Sequence, residues 1–352
     1  MRRTTIAILV VALIVFFGAI FSHNPQVARF GAKQAAIAEA TSATGKRVVI
    51  REWDVPTPNS HPHDPAVAPD GALWYTGQMS NTLGRLDPAT GEIREYRLKT
   101  PNSGPHGLVA DREGKIWFTA NFKGYIGKLD PRTGEITEYP LPDKGAEDPH
   151  TPVFDQKGTL WFTVQSGNDV GKLDPRTGMI ILKKVPAPHA LPYGIAVSSK
   201  GVPYFCEFGT DRLASINPET MEITEYLLPK GARPRRLAIT SDDEVYYSDY
   251  ARGYLGKLDP ISGKTEEWAS PGGPGSEPYG ITAAPDGIVW YAETGGTPNR
   301  IVGFSPKTQA FSAPVPIPSG GGVVRNMVAT RDGKLYLACS GVNKIAIVEV
   351  TH

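Results

Sequence analysis

The chain has 352 residues, and its 37 basic and 36 acidic side chains leave a net charge of +1. A balance this even lacks the electrostatic footprint of a nucleic-acid binder, so no nucleic-acid partner is expected. The 38 glycines and 32 prolines recur at regular intervals, as many tight turns require and as disorder does not.

Arg2-Arg3 precede an apolar run from Ile6 to Phe21 that only Gly18 interrupts. A basic start followed by such a run reads as an export signal. Two forms stay open, a cleaved signal peptide over 1–23 and an uncleaved membrane anchor. Residues 4–22 are long enough to span as a tether. No small-residue cleavage site follows at once, so the reading leans to the anchor. Both forms put the folded part outside the cytoplasmic membrane, periplasmic or extracellular. Residues 24–46 read as a linker with a helical turn about Lys33 to Ala40.

From there to 352 one unit recurs. Its clearest copy begins at Pro105-His106-Gly107-Leu108, turns at Gly114 and returns through Ile116-Trp117-Phe118-Thr119. A third apolar run at Tyr125–Leu129, an Asp130-Pro131 turn and Glu135–Tyr139 complete four short strands. Aligned on His106, the repeats start at His63, His106, His150, Tyr193, Arg235, Tyr279 and Arg325. Eleven residues after each stands an aromatic: Trp74, Trp117, Trp161, Tyr204, Tyr246, Trp290, Tyr336. A period of 42 to 46 residues with four strands per repeat predicts an all-β, seven-bladed β-propeller over 47–352. A single ring replaces the two domains that the length alone suggests, and a monomer is expected.

The last repeat lacks a fourth strand, and Val48–Trp53 matches the fourth strand of the first repeat. The N-terminal strand is therefore expected to close the seventh blade and remove an exposed edge. Asp-Pro, Asn-Pro and Ser-Pro steps between third and fourth strands (Asp87, Asp130, Asp174, Asn217, Asp259, Ser305) are turn chemistry rather than catalytic carboxylates. Cys206 and Cys339 fall in distant blades and are expected to be free thiols.

The starting residue of each repeat and the one 14 positions later are predicted to meet at one mouth of the central channel. That pairs His63 with Gly77, His106 with Ala120, His150 with Val164, Tyr193 with Glu207, Arg235 with Asp249, Tyr279 with Glu293 and Arg325 with Cys339. His61 and His189 lie just upstream. Imidazoles serve as metal ligands or bases, and carboxylates hold hard cations. Arginine and tyrosine bind anionic or carbonyl oxygens. The expected roles are His106, His150, Glu293 and Arg325 in catalysis, Tyr193, Glu207, Arg235 and Tyr279 in binding a small-molecule ligand, and His63, His106 and His150 around a metal. No Ser nucleophile motif or phosphate loop occurs. The Gly-rich runs at 272–276 and 320–322 read as lips over the channel.

The pattern P-H-G-[IL]…D-G…[VI]-W-F-T…I-G-[RK]-[IL]…G-E-I-T-E-Y, clearest from Pro105 to Pro142, resembles the virginiamycin B lyase (streptogramin lyase) family. The resemblance covers residues 47–350. It implies a seven-bladed propeller that opens a cyclic depsipeptide by elimination at its ester bond, with Mg²⁺ or another divalent metal in the mouth. It also implies that the starting residues of the last two repeats are catalytic histidines, with a glutamate 14 positions after the second. Here those positions hold Tyr279, Arg325 and Cys339. The expected activity is that of a metal-assisted carbon–oxygen lyase. A metal-dependent lactonase or ester hydrolase and a non-catalytic binding propeller are the alternatives.

Overall fold

Seven antiparallel sheets form one β-propeller in the computed structural model, which describes residues 27–31, 34–41 and 47–351. The expected signal peptide or anchor over residues 1–23 lies outside the described residues. Among the described residues no helix is long and apolar enough to cross a membrane.

Blade 2 sets the pattern with strands Pro105–Ala110, Ile116–Ala120, Tyr125–Asp130 and Glu135–Pro140, each paired with the next. The hairpin turns work because the eighth residue after each starting position has a left-handed backbone. Gly71, Gly114, Gly158, Gly201, Asp243, Gly287 and Gly333 all have φ between 65° and 86°, where glycine bears no Cβ penalty. The turns between third and fourth strands follow the sequence reading. Asp87, Asp130, Asp174, Asn217 and Asp259 each accept the N–H two residues on. The repeated aromatics fill the space between sheets, with Trp74, Trp117, Trp161 and Tyr246 no more than 1% exposed.

Ring closure occurs as the sequence predicts. Arg47–Asp54 pairs antiparallel with Lys344–Thr351, from Arg47 opposite Thr351 to Asp54 opposite Lys344. Val48, Ile50 and Trp53 are buried there. The side chain of Asn343 holds the seam through Ser60 N–H and the carbonyls of Val55 and Thr57. Cys206 and Cys339 are free and buried.

The expected linker instead adds strands. Val27–Gly31 pairs with the outer strand of blade 1, and Gln34–Thr41 pairs with Arg47–Asp54. The helical turn expected about Lys33 to Ala40 is replaced by strand over Gln34–Thr41. Open sheet edges offer a row of unpaired backbone groups, and that outweighs the weak helical preference of an Ala-rich segment.

Candidate functional site at the channel mouth

The seven starting residues do converge. His63 and His106 stack with ring centroids 3.7 Å apart, His106 and His150 at 3.8 Å, and His150 and Tyr193 at 3.9 Å. The Tyr193 and Tyr279 hydroxyls hydrogen-bond to each other. The Arg235 guanidinium lies 4.5 Å from the Tyr279 ring centre and Arg325 6.0 Å from it. The three histidines and two tyrosines are buried, while both arginines are partly exposed. His61 packs with its ring centroid 6.0 Å from that of His63. His189 lies exposed in its loop.

The threonine of the W-F-T motif sets this arrangement. Thr76, Thr119 and Thr163 donate to the carbonyls of His106, His150 and Tyr193 in the next blade at 2.7, 2.7 and 2.6 Å, and Ser248 donates to Tyr279 at 2.8 Å. Each hydroxyl fixes the backbone of a ring member. The motif was visible in the sequence, but its role required knowing which blade comes next.

One residue deeper lies a second layer that sequence reasoning missed. Asp64 accepts from Arg236 at 2.8 Å, from Asn326 at 3.0 Å and shares a 2.9 Å hydrogen bond with His63 Nδ1. Arg236 also reaches Thr151 at 3.3 Å, and Thr151 bonds His150 Nδ1 at 2.9 Å. Asp64 is 1% exposed and Arg236 3%, so this ion pair spans the channel from blade 1 to blade 5. The other blades carry Gly107, Gly194 and Gly280 at the same position; a Cβ would collide with the neighbouring backbone at the first two and sit tightly against it at Gly280. Below this layer the channel opens into a cavity of about 340 Å³ lined mainly by aliphatic side chains, with Asp64, Thr151, Arg236, Thr282 and Asn326 among its walls. The signal for the layer was available in the sequence as an Asp, Thr, Arg and Asn at one repeat position.

The electrostatics follow from burial. His63 is held well below the ordinary imidazole range by burial first, then by Arg325 and Arg236. Burial and then neighbouring histidines do the same to His106 and His150. All three are neutral near pH 7 and poor proton acceptors. Burial pushes Tyr279 up, but Arg235, Arg236 and Arg325 together bring it below the usual phenol value.

The expected carboxylate partners are not at the ring. Glu207 bonds Thr210, and burial followed by Glu225 pushes its pKa up to about 8. Asp249 serves Arg233 N–H and Arg252. Glu293 holds Ser270, Gly272 N–H and Arg300 at 2.6 Å each. The Gly272 loop is thus pinned rather than a free lip. The cause is a bulge in each inner strand. Pro192, not Tyr193, lies opposite Glu207, and Pro278 lies opposite Glu293. Successive strand residues face opposite ways, so a one-residue slip turns the carboxylate away from the starting residue. Glu207 is therefore corrected from a mouth residue to one bonded within its own blade, and Glu293 to an anchor of the loop that enters its blade.

The expected metal set changes too. Among the described residues the atoms that approach within 4.8 Å of one another belong to His63, Asp64 and His106, without His150. Magnesium needs several oxygen ligands, carboxylates above all. The ring offers imidazoles, phenols and guanidiniums, and Asp64, the one carboxylate of the layer below it, is already bound to Arg236 and Asn326. These residues do not fit Mg²⁺. Two imidazoles and a carboxylate better suit a zinc-like ion, for which Arg236 competes at the same Asp64 oxygen.

Comparison with known proteins agrees with the repeat. A structure of a streptogramin B lyase is 26% identical, superimposes with a TM-score of 0.79 and matches over 86% of this chain and 98% of its own. A virginiamycin B lyase from Staphylococcus aureus is 24% identical, with a TM-score of 0.77 over 86% and 99% of the two chains. A catalytically inactive form of that protein with quinupristin gives 23%, 0.76 and the same coverage. Comparison with curated proteins by sequence gives no match. The sequence matches the virginiamycin B lyase family over residues 32–207 and again over 180–352; with its seven blades and its W-F-T repeats, the chain belongs to that family.

Proposed function

We propose that this chain is a carbon–oxygen lyase for a small carbonyl compound, acting at the channel mouth with arginine in place of a metal ion. The observation that carries this reading is Arg325 beside Tyr279, at the two positions where the family resemblance implies histidines. Elimination needs a base for the proton next to a carbonyl and positive charge for the oxygen that becomes an enolate. Tyr279, as phenolate, takes that proton. The C–H electron pair becomes the new double bond, and the C–O bond one carbon further breaks. An ester oxygen then leaves as a carboxylate, and Tyr279 gives up its proton to water once the product departs. Arg325 holds the enolate oxygen. The neutral histidine stack contributes a dry wall rather than a base. Export, with or without a tether through residues 4–22, remains part of the proposal and is supported by the apolar run that follows Arg2-Arg3.

A second reading, a ligand-binding propeller without turnover, is favoured by one observation: among the described residues no carboxylate base stands at the ring, where Cys339 occupies the position of the family's glutamate. Incubation with quinupristin and other cyclic esters separates the readings. A product of unchanged mass with a new double bond, formed equally with and without a chelator, supports the lyase. Gain of one water makes the protein a hydrolase and refutes it. Intact compounds throughout leave the binding propeller.

A further inference from the structure

We propose that the mouth is an oxyanion site in which Arg235 and Arg325 receive the carboxylate of a small organic acid above the Tyr193–Tyr279 hydroxyl pair. The inference rests on the mouth being the site, which both functional readings share, and it requires no turnover.

Charge is the first reason. Among the described residues neither arginine has a carboxylate within an ion-pair contact, and the Nε of each is buried without a partner. The acids of the neighbouring strands are bonded elsewhere, and Glu277 accepts from Tyr250. Asp64 serves Arg236 and Asn326, Glu207 serves Thr210, Asp249 serves Arg252, and Glu293 serves Arg300. The histidines are neutral. Two partly desolvated guanidiniums thus face one opening with no carboxylate paired to either, an arrangement that a bound carboxylate completes.

Preorganisation is the second. The Arg235 guanidinium lies 4.2 Å from the ring centres of both Phe208 and Tyr250 and 4.5 Å from that of Tyr279. Tyr250 is itself fixed by a 2.8 Å bond to Glu277. An aromatic cage satisfies the faces of the guanidinium and leaves its N–H edge for a planar acceptor. The third reason is the pattern of ties between blades. Where Thr76, Thr119, Thr163 and Ser248 hold the backbone of the next ring member, Cys206 and Ala292 precede Arg235 and Arg325. The two cationic members are untied at this position, as is His63 after Ala338, beside which Ser340 instead donates to the Pro62 carbonyl. Exposed Met79 and Phe122 in the loops after the second strands of blades 1 and 2 give apolar surface for an organic body.

The test is calorimetric titration of the purified chain in low-chloride buffer with benzoate, acetate and succinate. Each is compared with its methyl ester, and inorganic phosphate serves as a tetrahedral comparator. At least one carboxylate is expected to bind saturably and at least tenfold tighter than its ester and than phosphate. Arg325→Gln and Arg235→Gln should each weaken it about tenfold, the double variant should abolish it, and exposed Arg331→Gln should leave it unchanged. Arg325→Lys, with an unfolding midpoint matched to the native chain, keeps the charge and should retain part of the affinity. No saturable carboxylate binding, equal affinity for the esters, tighter phosphate binding, or undiminished binding in the double variant overturns the proposal. If carboxylates bind but no elimination product forms, the lyase reading fails alone. If product forms without carboxylate recognition, this inference fails alone.

Discussion

Asp64→Asn is the most informative single change to the channel. The native carboxylate accepts from Arg236 and Asn326 and shares a hydrogen bond with His63, at 1% exposure. Asparagine keeps the shape but removes the negative charge and leaves Arg236 buried beside a neutral amide. Removing one member of a buried pair costs about 3–5 kcal/mol, because the other charge is left uncompensated. A domain of ordinary stability has only about 5–15 kcal/mol in total. For a ring of this size the change corresponds to a fall of about 5–8 °C in melting temperature. Urea denaturation and differential scanning calorimetry at pH 7.5 measure it. Replacing both partners, Asp64→Leu with Arg236→Met, should recover most of the loss, since apolar replacement of a buried pair is often nearly neutral. The resulting coupling energy should be at least about 2 kcal/mol. An Asp64→Asn protein within about 1 kcal/mol of the native one, or a double variant equal to the sum of the singles, refutes the view that this pair is a desolvated keystone of the channel.

Three other outcomes follow from the same geometry. The folded pKa values of His63, His106 and His150 are depressed, so the unfolded chain binds protons below about pH 6.5 that the folded ring refuses. Stability should therefore be full above that pH and fall on acidification by up to about 1.4 kcal/mol per pH unit per histidine; a flat urea midpoint between pH 7.5 and 5.5 contradicts it, and His106→Gln should lessen the slope. Glu207 shifts the other way, up to about 8, so it costs stability as pH rises from about 4.5 to that value, and Glu207→Gln should be the more stable form near pH 9. Deleting residues 47–54 removes buried Val48, Ile50 and Trp53, worth about 1.5–3 kcal/mol each, and should abolish the cooperative transition; Ile261→Ser, at a site 97% exposed, should stay within about 0.5 kcal/mol of native.

The amino-acid sequence by itself determined the ring. Seven blades, their turns, the left-handed hairpin residues and the closing strand were legible because each depends on local chemistry at a fixed offset. The same register identified all seven residues that meet at the mouth. It placed Glu207, Asp249 and Glu293 wrongly because a bulge beside the proline at each inner-strand start shifts pairing by one residue, and one residue reverses a side chain. Residues 34–41 were misread as containing a helical turn because an open blade edge supplies partners that composition does not record. Only the tertiary structure showed Asp64 meeting Arg236, since residues 172 positions apart come together through closure of a circle. It alone also decided that the mouth carries unpaired arginines and neutral imidazoles. Charge compensation depends on which acid each base meets in space, and strand alternation, not sequence spacing, settles that.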